Sequence, residues 1–156
     1  MRCALDNRDD HLPGFETKTP PIADAVRCAI AEAMAWLTDC KVADSDRGNV
    51  EIVLAEALNN VVEHGQMLPN EDITIILALS SHHVQCTIRD TGVRSSVLVE
   101  RRNGAASCPG DIDALPEGGF GISLIQAIAS EIEYLPVAQG NLVALTVPLT
   151  TNPVQI

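Results

Sequence analysis

The chain has 156 residues, of which 46% are hydrophobic and only 3% aromatic, and its formal net charge is −11. This length is typical of a single domain with a core of Ala, Val, Ile and Leu. The acidic charge argues against direct binding to nucleic acid, whose phosphates are themselves anionic. No apolar run approaches the roughly 20 residues that a membrane span needs, so we expect no membrane association.

The five cysteines are odd in number and scattered, and no two have the spacing of a zinc or redox motif. We expect them to be reduced thiols. The first six residues begin no apolar stretch of the length found in signal peptides. The sequence therefore predicts a cytoplasmic protein.

The first half of the chain is predicted to hold an edge strand and two helices. Residues 1–19 are polar, which indicates a flexible arm with a short edge strand at 15–19. Apolar residues then recur at helical spacing from Ile22 to about Cys40. Residues 44–48 are predicted to be a loop. A second helix should run from Val50 to His64, with Gly65 as its stop.

The second half begins with a predicted hairpin. Residues 72–80 are rich in Ile and Thr, and residues 84–89 alternate apolar and polar side chains. A short turn between these runs makes them antiparallel strands. Residues 94–117 then form a loop whose length is unusual in a compact domain, and such loops are usually functional or disordered. We interpret it as a flap over a ligand.

A helix and a second hairpin complete the chain. We predict the helix at 121–130 and strands at 131–136 and 141–149. Helices and antiparallel strands thus occur in blocks, which is typical of an α+β fold with helices on one face of a sheet. The whole of 20–150 is predicted to be one domain.

A carboxylate and an amide lie four residues apart in the second predicted helix. Glu56 and Asn60 therefore share one helix face, and His64 lies one turn further on. Asn60 could offer its amide oxygen to Mg²⁺ carrying nucleotide phosphates, because Mg²⁺ takes oxygen ligands. Glu56 could then orient or deprotonate an attacking hydroxyl. The alternative is a helix with two polar residues facing solvent.

Asp90-Thr91-Gly92 ends the second strand of the first hairpin. The carboxylate of Asp90 can accept a hydrogen bond from an exocyclic amine such as the adenine 6-amino group. Gly92 has no Cβ, so a flat base could approach the backbone there. The alternative is an ordinary strand-ending turn, in which Asp and Gly are favoured.

A glycine cluster, Gly118-Gly119-Phe120-Gly121, directly precedes the third predicted helix. Free N–H groups and the helix dipole favour anions such as phosphate at this point. The alternative is a flexible hinge between the long loop and its helix. The segment matches neither a Walker loop nor a dinucleotide fingerprint.

Taken together, the three segments resemble the N, G1 and G2 boxes of the histidine-kinase-like ATPase superfamily, which includes gyrase, histidine kinases and mismatch-repair ATPases. The chain is most similar to the small anti-sigma-factor serine/threonine-protein kinases of bacterial partner-switching systems. Their Glu-Ala-x-x-Asn-x-x-x-His-Gly pattern is met by residues 56–65. The later Asp-x-Gly and Gly-x-Gly-Ile/Leu patterns are met by residues 90–92 and 119–122.

The resemblance implies a two-layer α/β sandwich with a mixed, mostly antiparallel sheet that binds Mg-ATP under a lid at about 94–117. It implies Glu56 as general base and Asn60 on Mg²⁺. It places the nucleotide against the following residues: Asn60, Asp90, Gly92, Gly119, Phe120, Gly121 and Ile122.

The partners implied are a sigma factor and an anti-sigma-factor antagonist, whose serine or threonine would be phosphorylated in a pathway of transcription regulation. Family members are commonly dimeric. The alternative is a non-catalytic ATP-binding or partner-binding module of the same fold, and a histidine kinase catalytic domain is a weaker alternative. Two positions depart from the family: Arg94 stands where the G1 box often has a second glycine, and Leu142 where the last strand often has a threonine.

Overall fold

Five strands and three helices make up the part of the chain that the structure describes. The structure is a computed structural model and describes residues 13–68, 70–92 and 119–153. The strands are β1 (Gly14–Thr19), β2 (Ile73–Leu79), β3 (His83–Asp90), β4 (Glu131–Pro136) and β5 (Asn141–Pro148). The helices are α1 (Ala23–Asp39), α2 (Asp44–His64) and α3 (Gly119–Ile128).

The strands form one sheet in the order β1-β2-β3-β5-β4, and each neighbouring pair in it is antiparallel. The chain therefore crosses from β3 to the far edge at β4 and returns through β5 between them. The predicted α+β fold is confirmed. The edge segment predicted at 15–19 lies in β1, whose Phe15 ring packs against Trp36 of α1 with ring centroids 5.8 Å apart.

One face of the sheet is buried under the helices. Side chains alternate between the two faces of a strand, and the buried members of β3 are Val84, Cys86, Ile88 and Asp90. The buried face of β5 continues this row with Val143, Leu145 and Val147. Helix α2 covers these strands with the buried side chains of Val50, Val53, Leu54, Ala57, Leu58 and Val61. Asp90 is thus a carboxylate at the end of an otherwise apolar row beneath the helix layer.

Helix α2 begins six residues earlier than the sequence pattern indicated. The prediction of a loop at 44–48 was wrong, because Asp46 lies in the first turn of the helix and is fully buried. Its carboxylate accepts hydrogen bonds from the Thr150 N–H at 3.1 Å, the Thr150 hydroxyl at 2.9 Å and the Thr151 N–H at 3.4 Å. The segment after β5 therefore anchors the start of α2.

Several predictions from the sequence fall outside the described residues. These are the long loop at 94–117, with its Arg94, and most of the flexible arm before β1. In the described part, Cys28, Cys40 and Cys86 are free thiols. The helices that the structure describes include none that is long and apolar enough to span a membrane.

Replacing Asp46 should destabilise the fold, because the buried donors of Thr150 and Thr151 would lose a charged acceptor. We expect Asp46→Ala to lower the free energy of unfolding by about 2–3 kcal/mol. Urea denaturation measures this change. Asp44→Ala is the matched control, because Asp44 occupies the same helical turn but its side chain is 93% exposed, and among the described residues it pairs with Arg47. Equal effects of the two variants would contradict the anchoring role.

Candidate functional site

The carboxylate of Glu56 rests against the backbone of the glycine segment at the start of α3. A Cβ built on Gly121 would lie 2.1 Å from Glu56 Oε2, so no other residue type fits there while this contact is kept. The first turn of α3 has backbone N–H groups without helical partners, and the helix dipole is positive at this end. The contact therefore places a half-buried carboxylate at a site that favours anions.

Asn60 lies one helical turn after Glu56, about 6 Å further along α2. The residue is 8% exposed, and its Nδ2 is fully buried without a hydrogen-bond partner among the described residues. An unsatisfied buried amide carries a free-energy cost that a bound ligand can relieve. A half-turn of the amide exchanges Nδ2 and Oδ1, so Asn60 can present either a donor to a phosphate oxygen or an oxygen to a cation.

The end of α2 packs against the glycine that follows β3. A Cβ built on Gly92 would lie 2.0 Å from the Gly65 carbonyl oxygen. In this structure, the carbonyl group of Gly65 therefore occupies the space beside Gly92. Asn60 lies along the helix between this contact and the contact of Glu56 with Gly121. Helix α2 therefore brings all three sequence segments together.

Asp90 is held by two hydrogen bonds to one oxygen. Its Oδ1 accepts the Gly92 N–H at 2.9 Å and the side-chain amide of Asn141 at 3.1 Å. Asp90 and Asn141 are register partners at the ends of β3 and β5. The sequence analysis did not single out Asn141, because nothing local indicates which residue of the last strand would lie opposite Asp90.

Opposing influences act on the Asp90 carboxyl. Burial raises its pKa, the hydrogen bonds from Asn141 and Gly92 lower it, and the negative charge of Glu71 raises it. The net result is a pKa above the ordinary value of 3.8. The ionised form of Asp90 is therefore less favourable in the folded protein than in the unfolded chain.

A cavity of about 550 Å³ opens at the Asn141 side of this pair, and the buried Asp90 is not among its lining residues. It is lined by Glu71, Asp72, Thr91, Gly92, Gln139, Gly140 and Asn141. Its volume lies in the range of sites for small ligands. Most of these residues were missed by the sequence analysis, because they come from the turns before β2, after β3 and before β5, and only the sheet brings those turns together.

The other predicted site residues lie at the start of α3 and at the end of α2. Gly119 and Phe120 belong to the first turn of α3. Ile122 is 2% exposed and part of the hydrophobic core, so only its backbone could meet a ligand. His64 is exposed at the end of α2, with Nε2 3.6 Å from Glu63 Oε2. Over the described ranges, no group of three or more His, Cys, Asp and Glu side chains is arranged to hold a metal.

Removing the charge of Asp90 should make the unliganded protein more stable at neutral pH. A raised folded-state pKa contributes stability that is fully present below the unfolded value of 3.8 and lost as pH rises through the folded value. The Asp90→Asn variant cannot ionise at this position, so its stability does not fall in this way as the pH rises. We therefore expect the unfolding free energy of the variant to exceed that of the wild type by an amount that grows from below pH 3.8 to neutral pH. Urea denaturation at several pH values measures this difference. A difference that does not change with pH would contradict the prediction.

Comparison with known proteins identifies relatives over most of the chain. The serine-protein kinase RsbW of Bacillus cereus is 27% identical over 128 residues, which cover 78% of this chain and 76% of RsbW. The RsbW of Bacillus mycoides is 26% identical with the same coverage.

Among solved structures, the histidine kinase AdeS of Acinetobacter baumannii aligns with a TM-score of 0.44 and 16% identity, over 88% of this chain and 68% of that one. The histidine kinase domain of the blue-light activated kinase EL346 from Erythrobacter litoralis aligns with a TM-score of 0.41 and 17% identity, over 67% of this chain. The present chain spans 45% of that structure.

The sequence model of the histidine kinase-like ATPase domain matches residues 19–147. This range runs from the end of β1 almost to the end of β5, and it contains the three segments that α2 brings together. The protein belongs to the histidine kinase-like ATPase domain family.

Proposed function

We propose that this protein is an ATP-dependent serine/threonine-protein kinase that acts as an anti-sigma factor and phosphorylates an anti-sigma-factor antagonist. Membership of an ATPase domain family and the similarity to RsbW serine-protein kinases support the proposal. The observation that carries it is the contact of the Glu56 carboxylate with Gly121, one helical turn from the buried amide of Asn60. Phosphoryl transfer requires positioned phosphates and a group that receives the proton of the attacking hydroxyl.

The residues present fit Mg-ATP. Turned so that Oδ1 takes the place of the unpartnered Nδ2, Asn60 would hold Mg²⁺ through its amide oxygen. The N–H groups at Gly119 and Gly121 would bind phosphate oxygens. Asp90, with Gly92 beside it, would accept a hydrogen bond from the adenine amino group, since an ionised carboxylate only accepts. When bound, Mg²⁺ neutralises negative charge on the phosphates.

Glu56 is the proposed general base. A carboxylate beside the positive end of α3 is held close to the proposed phosphate site, and it can take the proton from a serine or threonine hydroxyl. The hydroxyl oxygen then bonds to the γ-phosphorus while the bond from that phosphorus to the β,γ-bridging oxygen breaks. ADP leaves with the electron pair of the broken bond, and the proton stays on Glu56 until it is released to water.

The partners follow from the same proposal. The kinase would bind either a sigma factor or the antagonist, and phosphorylating the antagonist would free the kinase to hold the sigma factor. We propose that residues 20–150 form the kinase domain, that the segment at about 94–117 is its lid, and that the protein acts in the cytoplasm as a homodimer. Its net charge of −11 is compatible with partners that carry basic surfaces.

Asn60→Ala should weaken magnesium-dependent binding of ATP. We expect the affinity for Mg-ATP to fall at least about tenfold, or 1.4 kcal/mol, because the proposed ligand of the cation is removed. Isothermal titration calorimetry with and without Mg²⁺ measures the change. Stability should not suffer, since Nδ2 has no partner among the described residues.

Asn59→Ala is the matched control, because Asn59 is the neighbouring asparagine and is exposed. It should bind Mg-ATP as the wild type does. A folded wild type that binds no ATP would overturn the kinase proposal and favour a partner-binding module on the same fold.

Glu56→Gln should separate nucleotide binding from catalysis. The amide keeps the size of the side chain but cannot take a proton, so we expect the rate of phosphate transfer to fall by about 10²–10⁴-fold while the affinity for ATP changes little. The measurement is transfer of the radiolabelled γ-phosphate to the purified antagonist proteins of the source organism.

Glu63→Gln is its control, because Glu63 belongs to the same helix and its side chain is 64% exposed. This variant should phosphorylate at the wild-type rate. A Glu56→Gln variant as active as the wild type would remove Glu56 as the base.

A further inference from the structure

We propose that an apolar strip on the outer seam between α2 and α3 is the docking site for the segment of the protein substrate that carries the acceptor serine or threonine. The seam strip consists of Ile52 on α2 with Leu124 and Ala127 on α3. This inference rests on the proposed function, because it takes Glu56 as the base that the acceptor hydroxyl must reach. All three residues of the strip lie outside the sequence motifs of the nucleotide site.

Helices α2 and α3 run in opposite directions. The first turn of α3 contacts the middle of α2, where Gly121 meets Glu56. Just after α3, the Ser130 N–H donates to the Thr146 carbonyl near the end of β5 at 2.8 Å. The segment that follows β5 binds Asp46 in the first turn of α2. The end of α3 therefore lies toward the start of α2.

One turn away from the contact between Glu56 and Gly121, each helix presents an exposed aliphatic side chain. Ile52 precedes Glu56 by about 6 Å along α2, and Leu124 follows Gly121 by about 4.5 Å along α3. Residues three or four apart share a helix face, and the two steps lead the same way because the helices are antiparallel. Ile52 is 39% exposed and Leu124 is 43% exposed. Ala127, a further turn along α3, is also exposed.

Helix α3 carries no charged residue, although part of it faces solvent. None of its ten residues is acidic or basic, in a chain of which 20% is charged. A surface helix normally turns a charged or polar face to water, whereas the core of a protein interface is depleted in charge. The exposed side of α3 therefore has the composition of an interface. Its exposed residues are Ser123, Leu124, Gln126 and Ala127.

The position of the proposed nucleotide site says what approaches the seam strip. Asn60 follows Glu56 by one turn, and the Gly65 carbonyl contacts Gly92 at the end of α2, so the nucleotide site lies toward that end. The attacking and leaving oxygens of phosphoryl transfer are roughly in line, so the acceptor approaches from the opposite side. That side is the start of α2. Val53 is fully buried there, so the core closes the path beneath the helix, and the acceptor segment must cross the outer surface.

The spacing within the strip describes the segment that fits it. Its hydroxyl reaches Glu56 while an aliphatic side chain about 6 Å away covers Ile52 and Leu124. In an extended segment, a side chain two residues from the acceptor lies on the same face about 6.7 Å away. A charged side chain at this place would lose its hydration against apolar surface without gaining a partner. The strip thus selects protein segments that carry an aliphatic residue beside the acceptor.

The test measures KM for the protein substrate on the full-length chain. At saturating Mg-ATP, we expect Ile52→Ser and Leu124→Ser each to raise KM for the purified antagonist proteins of the source organism about tenfold, since an aliphatic contact is lost. The value of kcat should stay within about twofold, because this contact is made equally in the ground and transition states. Calorimetric titrations should give the wild-type affinity for Mg-ATP. An unchanged KM in both variants, or a parallel loss of ATP affinity, would overturn the inference.

Ile76→Ser and Leu135→Ser are the matched controls. Ile76 belongs to β2 and is 37% exposed, and Leu135 belongs to β4 and is 46% exposed. They therefore match Ile52 and Leu124 in type and exposure but lie outside α2 and α3. Both controls should keep the wild-type KM. A tenfold rise in the controls as well would overturn the inference.

A photocrosslinking amino acid identifies the occupant of the strip directly. A benzophenone side chain introduced at position 124 should crosslink on illumination to the antagonist, within the tryptic peptide that contains the phosphorylated residue. The same side chain at position 135 should give no crosslink to that peptide. Crosslinks only to residues 94–117 of this chain, or only to a second copy of it, would overturn the inference.

Failure of the inference can be told apart from failure of the proposed function. If a folded wild type binds ATP but phosphorylates none of the antagonist proteins, the proposed function fails and the inference fails with it. If it phosphorylates an antagonist and neither substitution in the seam strip changes KM, only the inference fails.

Discussion

The close packing of α2 against two stretches of backbone is the constraint on which the site depends. Glu56 contacts the start of α3 at Gly121, and the carbonyl of Gly65 contacts Gly92 after β3. Neither contact leaves room for a Cβ. The contact of Gly65 with Gly92 joins two backbones and fixes the end of β3 against the end of α2, whereas the contact with Gly121 is made by the end of a flexible side chain. Packing of α2 against α3 keeps the Glu56 carboxylate beside the glycine backbone.

The protein keeps polar groups in its interior at a cost to stability. Asp90 is 3% exposed with a raised pKa, and the buried Nδ2 of Asn60 has no partner within the described residues. Apolar residues of similar size would avoid both costs. Asp46 is different, since it is buried and meets three donors from the segment after β5. The hydrogen bonds of Asp46 therefore stabilise the fold, whereas the burial of Asn60 Nδ2 carries a cost that the described contacts do not offset.

Most of the fold was predictable because the pattern that indicates each helix or strand lies within that element's own residues. Alternation in residues 84–89 and helical spacing from Ile22 each depend on side chains a few positions apart, and the predicted β3 and α1 lie within a residue of the observed bounds. The start of α2 was missed because its reason is not local. Asp46 is buried by contacts with residues more than 100 positions away, and the acidic run at 44–46 by itself resembles a loop.

The sequence by itself determined which chemical groups are available: a carboxylate and an amide one helical turn apart, an acid at a strand end, and glycines before a helix. Only the tertiary structure decided that α2 contacts both of the other segments, that Ile122 belongs to the core, and that Asn141 rather than Leu142 faces Asp90. The physical reason is that spacing along one element follows from its own geometry, whereas the partner of a side chain depends on strand register and helix packing between distant parts of the chain.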